Sequence, residues 1–359
     1  MSKIIFGGAF DPIHNGHINM AKNAMKALNG EVLFVPARIS VWKDNSAPIT
    51  DKMAMLELAI KGIDGFHIEK YEIESDKDTN YSIDTVRYLK DKYPDDQLYL
   101  LIGTDQVNEF HRWKEAEEIS KLARIVYFAR PGYQPNENVK KFNMLEIKGN
   151  LQDVSSTEIR KLQSLELPDE VLFYIVENGL YEGMVELKNI LSPHRFSHSK
   201  SVAKVAYQIA KANNLEKPLR YFLAGLLHDI GKDIPLEKQF ELLKNNYPEY
   251  MEMPKFSYHQ FAGAVLAQKM FNIHEQDIIN AIKFHSTGSD NMCTMAKIVY
   301  AADKIEPTRG FDSTDLINAM LEDVDKGFKT VLQANKDFLD EKGKMTDNPL
   351  TCKCFNKYL

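Results

Sequence analysis

Hydrophobic side chains follow two different repeats in the two halves of this chain, and that change constrains the fold most strongly. Up to about residue 180, short apolar runs alternate with segments of helical period. Beyond about residue 185, the regular segments have the helical period and show no clear strand pattern. The first pattern favours an α/β domain with a doubly wound parallel sheet, and the second favours an all-α domain. Since 359 residues also exceed the usual size of one core, we predict two domains, 1–185 and 186–359.

The periodicity also predicts individual elements. Strands are expected at 3–6, 31–37, 66–73, 97–103 and 124–132, and helices at 18–28, 50–62, 82–94, 199–214, 218–232, 259–271, 275–285 and 293–305. We expect Thr50 or Asp51 to cap the second helix and Gly62 to end it. The carboxyl ends of the strands matter for function, because ligands of doubly wound sheets bind at that edge of the sheet.

Composition limits the partners of the chain. The formal net charge is −6, so nothing indicates general attraction to nucleic acid or to an anionic membrane. Three cysteines make no disulfide framework and fit a reducing compartment. No apolar run approaches the ~20 residues of a membrane span, and no leader pattern is visible at the N-terminus. We therefore expect a cytoplasmic protein without a membrane partner.

The stretch GGAFDPIHNGH, residues 7–17, follows the first predicted strand. Gly7 and Gly8 stand where the backbone must turn tightly or approach a ligand. The pair Asp11-Pro12 resembles a helix start, and free N–H groups at such a start favour phosphate. His14 and His17 are three residues apart, which places them on one helical face. Neither common dinucleotide or P-loop fingerprint is present, so we predict a phosphate site of another kind.

These residues resemble the signature of the HxGH nucleotidyltransferase superfamily, whose fold is Rossmann-like. The stretch VSSTEIR, 154–160, resembles its second signature, with valine at position 154. Three further stretches, 80–89, 101–119 and 129–133, resemble bacterial nicotinate-mononucleotide adenylyltransferase, the NadD family. The resemblance covers about residues 1–182. It implies transfer of AMP from ATP to nicotinate mononucleotide, giving deamido-NAD and pyrophosphate, with Mg²⁺ accompanying ATP.

The same resemblance implies roles for particular residues. His14, His17 and Arg160 would contact the triphosphate and stabilise the charge of the leaving pyrophosphate. Substrate and ATP contacts are implied for Gly7, Gly8, Phe10, Lys43, Thr85, Gly103, Asp105, Trp113, Ser156 and Thr157. Lys43 matches a basic residue of the family, but Trp42 replaces the usual histidine beside it. Ser155 and Glu158 also have the spacing of a capping box.

Two other acceptors remain open for the first half. A related HxGH enzyme could use nicotinamide mononucleotide or phosphopantetheine in place of nicotinate mononucleotide. Residues 80–89 and Trp113 argue against phosphopantetheine. The choice between the acid and the amide depends on backbone geometry and is not predicted.

The helical half contains metal-type side chains within apolar sequence. They occur in the order His198, His228, Asp229, His259, His285 and Asp303, spread over five helical segments. Buried histidine and aspartate are costly unless they are paired or bind a metal. Six of them therefore predict a metal centre. Ligands with nitrogen and oxygen but no thiolate suit Fe, Mn, Zn or Co.

The order of these residues resembles the HD-domain phosphohydrolases. The stretches HRFSHS, HDIGKD, FHSTG and YAADKIEPTR resemble the bacterial YqeK family over about 190–355. The resemblance implies one metal on His198, His228, Asp229 and Asp303, and a second on His259 and His285 with Asp229 as the bridge. It also implies symmetrical hydrolysis of diadenosine tetraphosphate to ADP. Arg195, Lys232 and Arg309 would hold the polyphosphate, with Lys232 close to the catalytic centre.

The sequence thus predicts a bifunctional enzyme acting on small nucleotides. Alternatives for the second half are a mononucleotide phosphatase, a cyclic-nucleotide phosphodiesterase, or a sensor that binds a ligand without cleaving it. The complete ligand set disfavours the sensor. Oligomeric state is not predicted.

Overall fold

The computed structural model describes residues 2–38, 47–77, 79–129, 134–149, 154–343 and 348–359. The chain divides into two compact units, 1–181 and 182–359. The boundary that we predict after residue 185 lies a few residues beyond the observed one. It falls inside the helix Tyr181–Ile190. No Pro- or Ser-rich linker separates the units, which is why the composition indicates the boundary only approximately.

The first unit contains a sheet of six parallel strands. They are β1 Ser2–Gly8, β2 Gly30–Pro36, β3 Phe66–Ile68, β4 Gln97–Gly103, β5 Arg124–Phe128 and β6 Leu145–Glu146. Their order in the sheet is β3-β2-β1-β4-β5-β6, so the order reverses between β1 and β4. This doubly wound arrangement confirms the predicted fold class, and it creates a ligand crevice at the carboxyl ends of β1 and β4.

Ten helices belong to the described part of this unit or begin at its last residue. They are α1 Asn15–Leu28, α2 Ile49–Ile60, α3 Tyr71–Glu74, α4 Ser82–Lys92, α5 Thr104–Glu109, α6 Ala116–Leu122, α7 Asn138–Lys141, α8 Ser156–Arg160, α9 Asp169–Asn178 and α10 Tyr181–Ile190. Apolar faces of α4 and α6 cover one side of the sheet, with Val86, Leu89 and Ile119 fully buried against strand residues.

Two predicted details of the first unit are wrong. Helix α2 begins after Pro48 and has no side-chain cap, so Thr50 and Asp51 lie inside its first turn. The strand predicted over 66–73 ends at Ile68 because it is an edge strand that pairs only with β2. The Glu69 carboxylate then accepts a hydrogen bond from the Tyr71 N–H (3.2 Å), which starts the short helix α3 instead.

The second unit is helical throughout its described residues, as predicted. Its helices are α11 Pro193–Ala212, α12 Pro218–Leu227, α13 Leu236–Asn246, α14 Tyr258–Phe271, α15 Gln276–Phe284, α16 Thr294–Ile305, α17 Thr314–Glu322, α18 Val324–Glu341 and α19 Pro349–Tyr358. Short 3₁₀ turns lie at 248–250, 255–257 and 307–309. Across both units, the described helices include none with the length and apolar character that crossing a membrane requires.

Candidate functional site

A cavity of about 490 Å³ opens at the carboxyl ends of β1, β4 and β5. Nine residues singled out from the sequence line it: Gly7, Gly8, Phe10, His14, His17, Gly103, Asp105, Ser156 and Thr157. They come from three separate stretches of the chain, and the sheet topology brings them together. The volume falls within the range of cavities that hold a small-molecule ligand.

The two histidines of the first motif stack on each other. His14 is the N-cap of α1, and its Nδ1 accepts a hydrogen bond from the His17 N–H at 3.4 Å. The ring centroids are 3.7 Å apart with an interplanar angle of 20°. Burial, and then the neighbouring His14, lower the pKa of His17 well below its ordinary value. Two imidazoles at the start of a helix therefore face the cavity, a position that suits a phosphate chain.

The two glycines of the first motif have different surroundings. A Cβ on Gly7 would meet nothing within 4 Å, whereas one on Gly8 would meet the Phe10 ring at 3.0 Å. Phe10 has a positive φ of 44° and is almost fully buried, packed edge-on against Phe6 and His17. Phe10 therefore packs under this turn, and its ring supports the His17 ring.

A buried polar network holds the same turn, and sequence reasoning missed most of it. Asp11 Oδ1 accepts hydrogen bonds from the Tyr181 hydroxyl (2.8 Å) and the Ala47 N–H (3.2 Å). The Arg160 guanidinium donates to the Asp11 carbonyl (2.8 Å) and to the Thr157 hydroxyl (3.1 Å). Arg160 therefore joins the two signature motifs and does not itself line the cavity. Its contact with the triphosphate stays a prediction.

Helix α8 carries the second motif. The Ser156 hydroxyl donates to the Pro12 carbonyl at 3.3 Å, which ties this short helix to the first motif. Ser155 occupies the N-cap position, but its side chain makes no capping hydrogen bond. The capping box expected from Ser155 and Glu158 is therefore wrong. Because that hydroxyl does not cap the helix, the N-terminal N–H groups of α8 remain available at the cavity.

Two further predicted contact residues, Thr85 and Trp113, lie elsewhere. The Thr85 hydroxyl donates to Glu72 Oε1 at 2.7 Å, and the Trp113 ring packs on Phe110 with centroids 5.2 Å apart. Neither residue lines the cavity described above. Lys43 and Trp42 lie outside the described residues. The substrate contacts of Thr85, Trp113 and Lys43 stay predictions.

The second unit contains a cavity of about 350 Å³ lined by polar side chains. Five of the six predicted metal ligands line it: His198, Asp229, His259, His285 and Asp303. The sixth, His228, lies directly beneath it and is fully buried. His228 and His285 are the C-cap residues that directly follow α12 and α15, rather than mid-helix positions. Gly231 lets the loop after His228 pack closely on α14, because a Cβ at position 231 would clash with the His259 carbonyl.

Each of the four histidines has its Nδ1 held by an acceptor. His228, His259 and His285 face the carbonyls of Gly225, Phe256 and Ile282 at 2.7, 2.8 and 2.8 Å. The fourth, His198, faces the buried carboxylate of Glu306 at 2.9 Å. This pattern sets each Nε2 as the nitrogen that can bind a metal. Glu306 was missed in the sequence, although it lies three residues after Asp303.

Two histidine nitrogens and one aspartate oxygen of the predicted ligand set lie close together. His259 Nε2 and His285 Nε2 are 3.2 Å apart, and Asp229 Oδ1 lies 3.5 and 3.4 Å from them. Burial lowers the pKa of both histidines, so their Nε2 atoms carry lone pairs rather than protons. Ligands about 2.1 Å from a metal are separated by about 3.0–3.4 Å. The three atoms therefore fit one cation.

A second group includes the other oxygen of Asp229. Atoms of His198, His228 and Asp229 lie within 4.8 Å of one another. His228 Nε2 is buried without a hydrogen-bond partner among the described residues, 3.9 Å from Asp229 Oδ2. Asp303 Oδ1 lies 3.1 Å from His198 Nε2 and 3.6 Å from His228 Nε2. The unpaired nitrogen and the two carboxylates make this group a fit for a second cation.

Four cationic side chains surround these groups: Arg195, Lys232, Lys304 and Arg309. Arg195 pairs with Asp229 Oδ2 at 2.9 Å, and Lys304 pairs with Asp303 Oδ2 at 2.8 Å. Arg309 also contacts Asp303, and Lys232 Nζ is 3.3 Å from His259 Nδ1. Lys304 was not predicted. Divalent ions added to this ring would leave the cavity strongly positive, which suits a polyphosphate.

Comparison with known proteins agrees with this division. The cytidylyltransferase-like family matches residues 5–162, and the HD domain family matches residues 195–308. A Mycoplasma genitalium protein called "Probable nicotinate-nucleotide adenylyltransferase/Ap4A hydrolase" is 36% identical over 315 residues, covering 85% of this chain and 87% of the relative. A Mycoplasma pneumoniae protein with the same description is 30% identical, covering 92% and 98%.

The chain belongs to this nicotinate-nucleotide adenylyltransferase/Ap4A hydrolase family. An Aquifex aeolicus protein called "Probable nicotinate-nucleotide adenylyltransferase" is 40% identical over 168 residues, which cover 44% of this chain and 99% of that relative. It therefore matches one domain of the two-domain family. The HD domain of this family member carries the metal-type cluster described above, so divalent metal binding is a property of its second unit.

In this family member, the two aspartates among the predicted metal ligands are negatively charged. Burial acts to raise the pKa of Asp229, but His228 and His285 outweigh it and hold that pKa well below its usual range. Asp303 is affected in the same way, with Lys304 as the largest opposing charge. Ionised aspartates beside neutral His259 and His285 form the donor set that divalent transition metals prefer.

Proposed function

We propose that the first unit transfers AMP from ATP to nicotinate mononucleotide and that the second hydrolyses diadenosine tetraphosphate to two ADP. The observation that supports the proposal is the presence of two chemically different cavities, each within its own unit and each lined by groups that suit phosphate. The names of the two Mycoplasma relatives support the same pair of activities. Since both substrates are cytoplasmic metabolites, we place both reactions in the cytoplasm.

The first reaction requires positioning and charge stabilisation rather than a covalent intermediate. The phosphate of nicotinate mononucleotide attacks the α-phosphorus of ATP, and the bond to the leaving pyrophosphate breaks in line. The stacked His14 and His17 lie where they can donate hydrogen bonds to the triphosphate. N–H groups at the start of α8 face the same cavity, together with Ser156 and Thr157. Mg²⁺ bound to ATP would neutralise part of the phosphate charge.

The second reaction fits the metal groups of the HD domain. Bound divalent metals activate water and neutralise phosphate oxygens. His259, His285 and Asp229 would hold one ion, and His198, His228 and Asp303 would hold the other with Asp229 shared. Iron, manganese, zinc and cobalt all suit this donor set. Hydrolysis adds one water across the central P–O–P bond, so that each half leaves as ADP.

The ring of cations supports a substrate with several phosphates. The cavity that the expected metal ligands line is also lined by Arg195, Lys232 and Arg309. Arg195 and Arg309 pair with carboxylate oxygens of Asp229 and Asp303. When metals neutralise those carboxylates, the guanidinium groups can turn to phosphate oxygens, which they bind in a bidentate manner.

Product analysis of the intact chain tests both halves. We expect deamido-NAD and pyrophosphate from ATP with nicotinate mononucleotide, and less product with nicotinamide mononucleotide. We expect only ADP from diadenosine tetraphosphate in the presence of Mn²⁺ or Fe²⁺. Formation of AMP and ATP from the tetraphosphate would contradict symmetrical cleavage, and an absence of dinucleotide product would contradict the transferase.

Metal content provides a test independent of turnover. The full chain purified anaerobically should contain one to two transition-metal ions, because two donor groups share Asp229. Elemental analysis of the wild-type protein and of Asp229→Ala would measure this, and the variant should retain less than half of the metal. A metal-free wild-type protein, or an unchanged content in the variant, would favour a ligand sensor over a hydrolase.

A further inference from the structure

Phe311 is an exposed aromatic residue on the loop that follows two lining residues of the polyphosphate cavity, and nothing in the proposed reaction uses it. Half of its surface is accessible to solvent. It lies two residues after Arg309 and three after Thr308, both of which line the cavity. Two residues span at most ~7 Å of chain. The backbone of Phe311 therefore lies within ~7 Å of the backbone of Arg309, whose side chain lines the cavity.

The loop that carries this ring is held on both sides. Before it, Glu306 accepts hydrogen bonds from the N–H and hydroxyl of Thr308, both at 2.7 Å. Arg309 Nε donates to the Asp303 carbonyl at 2.7 Å. After it, the buried Ser313 hydroxyl donates to the Ile305 carbonyl at 2.5 Å. An apolar side chain held out to water on an anchored loop is preorganised for a partner.

A single exposed apolar side chain is ordinary on a protein surface. Phe338 provides the comparison within this chain, since it is 51% exposed and lies in the last turn of α18. Phe311 differs because its loop also carries Thr308 and Arg309, which line a cavity with four cationic side chains that fits a nucleotide's phosphates. Every nucleotide carries an apolar base one ribose away from its phosphates, and bases stack on aromatic rings.

We infer that Phe311 is the platform on which a purine base of the substrate stacks while the attached phosphates occupy the cationic cavity. This inference rests on the proposed hydrolase function and deepens it, because it assigns recognition of the nucleoside to a residue outside the metal centre. The HD site would then select nucleoside polyphosphates over inorganic polyphosphates through this ring.

Competitive inhibition of diadenosine tetraphosphate hydrolysis tests the inference on the metal-loaded full chain. This readout reports only on the second unit, so ADP binding to the first cavity does not interfere. In Phe311→Ala, the inhibition constant of ADP should rise about tenfold, as expected for loss of one base–aromatic stack. The inhibition constant of inorganic triphosphate, which has no base, should stay within twofold of wild type.

Two further variants separate stacking from a structural effect. Phe311→Trp should keep the ADP constant at or below the wild-type value, and ADP should quench the fluorescence of the new tryptophan more than inorganic triphosphate does. Phe338→Ala should leave both inhibition constants unchanged. An ADP constant within twofold of wild type in Phe311→Ala would overturn the inference, as would equal weakening of both inhibitors. Failure of the wild-type chain to hydrolyse the tetraphosphate would instead overturn the proposed function on which the inference rests.

Discussion

At the scale of single residues, His198 differs from the other three histidines of the cluster. Their Nδ1 atoms face backbone carbonyls, whereas His198 faces the carboxylate of Glu306. Glu306 is 1% exposed and is itself fixed by Thr308. A carboxylate in this position fixes the tautomer of a ligand histidine and raises its basicity. Glu306 is therefore a positioning residue for the metal group that contains His198.

Glu306→Gln should weaken metal binding about ten- to hundredfold, since the amide keeps the shape but removes the charge. Competition of the loaded protein with a chelator measures this without reference to turnover. Glu322→Gln, an exposed change at the end of α17, should have no effect. Equal metal affinity in Glu306→Gln and wild type would contradict the positioning role.

His17 makes the stability of the first unit depend on pH. Its pKa is lowered in the folded state by burial and by His14, so the unfolded chain binds the proton more strongly. The contribution of His17 to folding is then full above pH 6.5 and is lost as the pH falls from there through the lowered folded pKa. The Tm of wild type should therefore fall more between pH 7.5 and 5.5 than the Tm of His17→Asn. Identical slopes for the two proteins would contradict the lowered pKa.

At the scale of elements, helix α19 packs against the loop that follows His285, one of the predicted metal ligands. Gly288 in this loop has a φ of +69°, and a Cβ there would meet Cys354 Sγ of α19 at 2.5 Å. The Tyr358 hydroxyl accepts a hydrogen bond from the Met292 N–H at 3.0 Å. The C-terminal helix thus supports a loop whose first residues, His285 and Ser286, line the metal cavity.

Gly288→Ala should lower the Tm of the second unit by more than Gly343→Ala. Both glycines have a positive φ, but a Cβ on Gly343 would meet nothing within 4 Å. The Gly343 variant therefore measures backbone strain alone, about 1–2 kcal/mol, and the Gly288 variant adds a clash with Cys354. Equal Tm losses would show that α19 does not constrain the loop.

The repeats of apolar residues were sufficient to predict most elements, because buried faces impose their period on the sequence. Helix α4 and strand β4 lie where the periodicity places them. Element ends were less predictable, since they depend on local competition. Glu69 starts a helix where a strand was expected, and Pro48 precedes α2 without a side-chain cap.

The motifs predicted which side chains meet at each site but not what holds them. Asp11 and Tyr181 are joined by a hydrogen bond although they are 170 positions apart in the sequence. No pattern within either stretch indicates that pairing. Glu306 lies near a predicted ligand, yet its role depends on a contact with His198 on another helix. Tertiary contacts of this kind leave no repeat in the sequence.

At the scale of the whole molecule, two units handle phosphates by different physical means. The first uses neutral imidazole and helix N–H groups at the edge of a parallel sheet. The second uses converging histidine nitrogens and aspartates with a ring of cations. The net charge of −6 does not oppose the second site, because four cationic side chains line its cavity. We therefore expect the two activities to be independent.

That independence is the central claim, and one paired assay tests it most directly. Deamido-NAD formation and diadenosine tetraphosphate hydrolysis would be measured on the intact wild-type chain, on His17→Ala and on Asp229→Ala, with folding checked by circular dichroism. We predict that Asp229→Ala abolishes hydrolysis and leaves transfer within a few-fold of wild type, while His17→Ala does the reverse. Loss of both activities in either folded variant would contradict the two-site account.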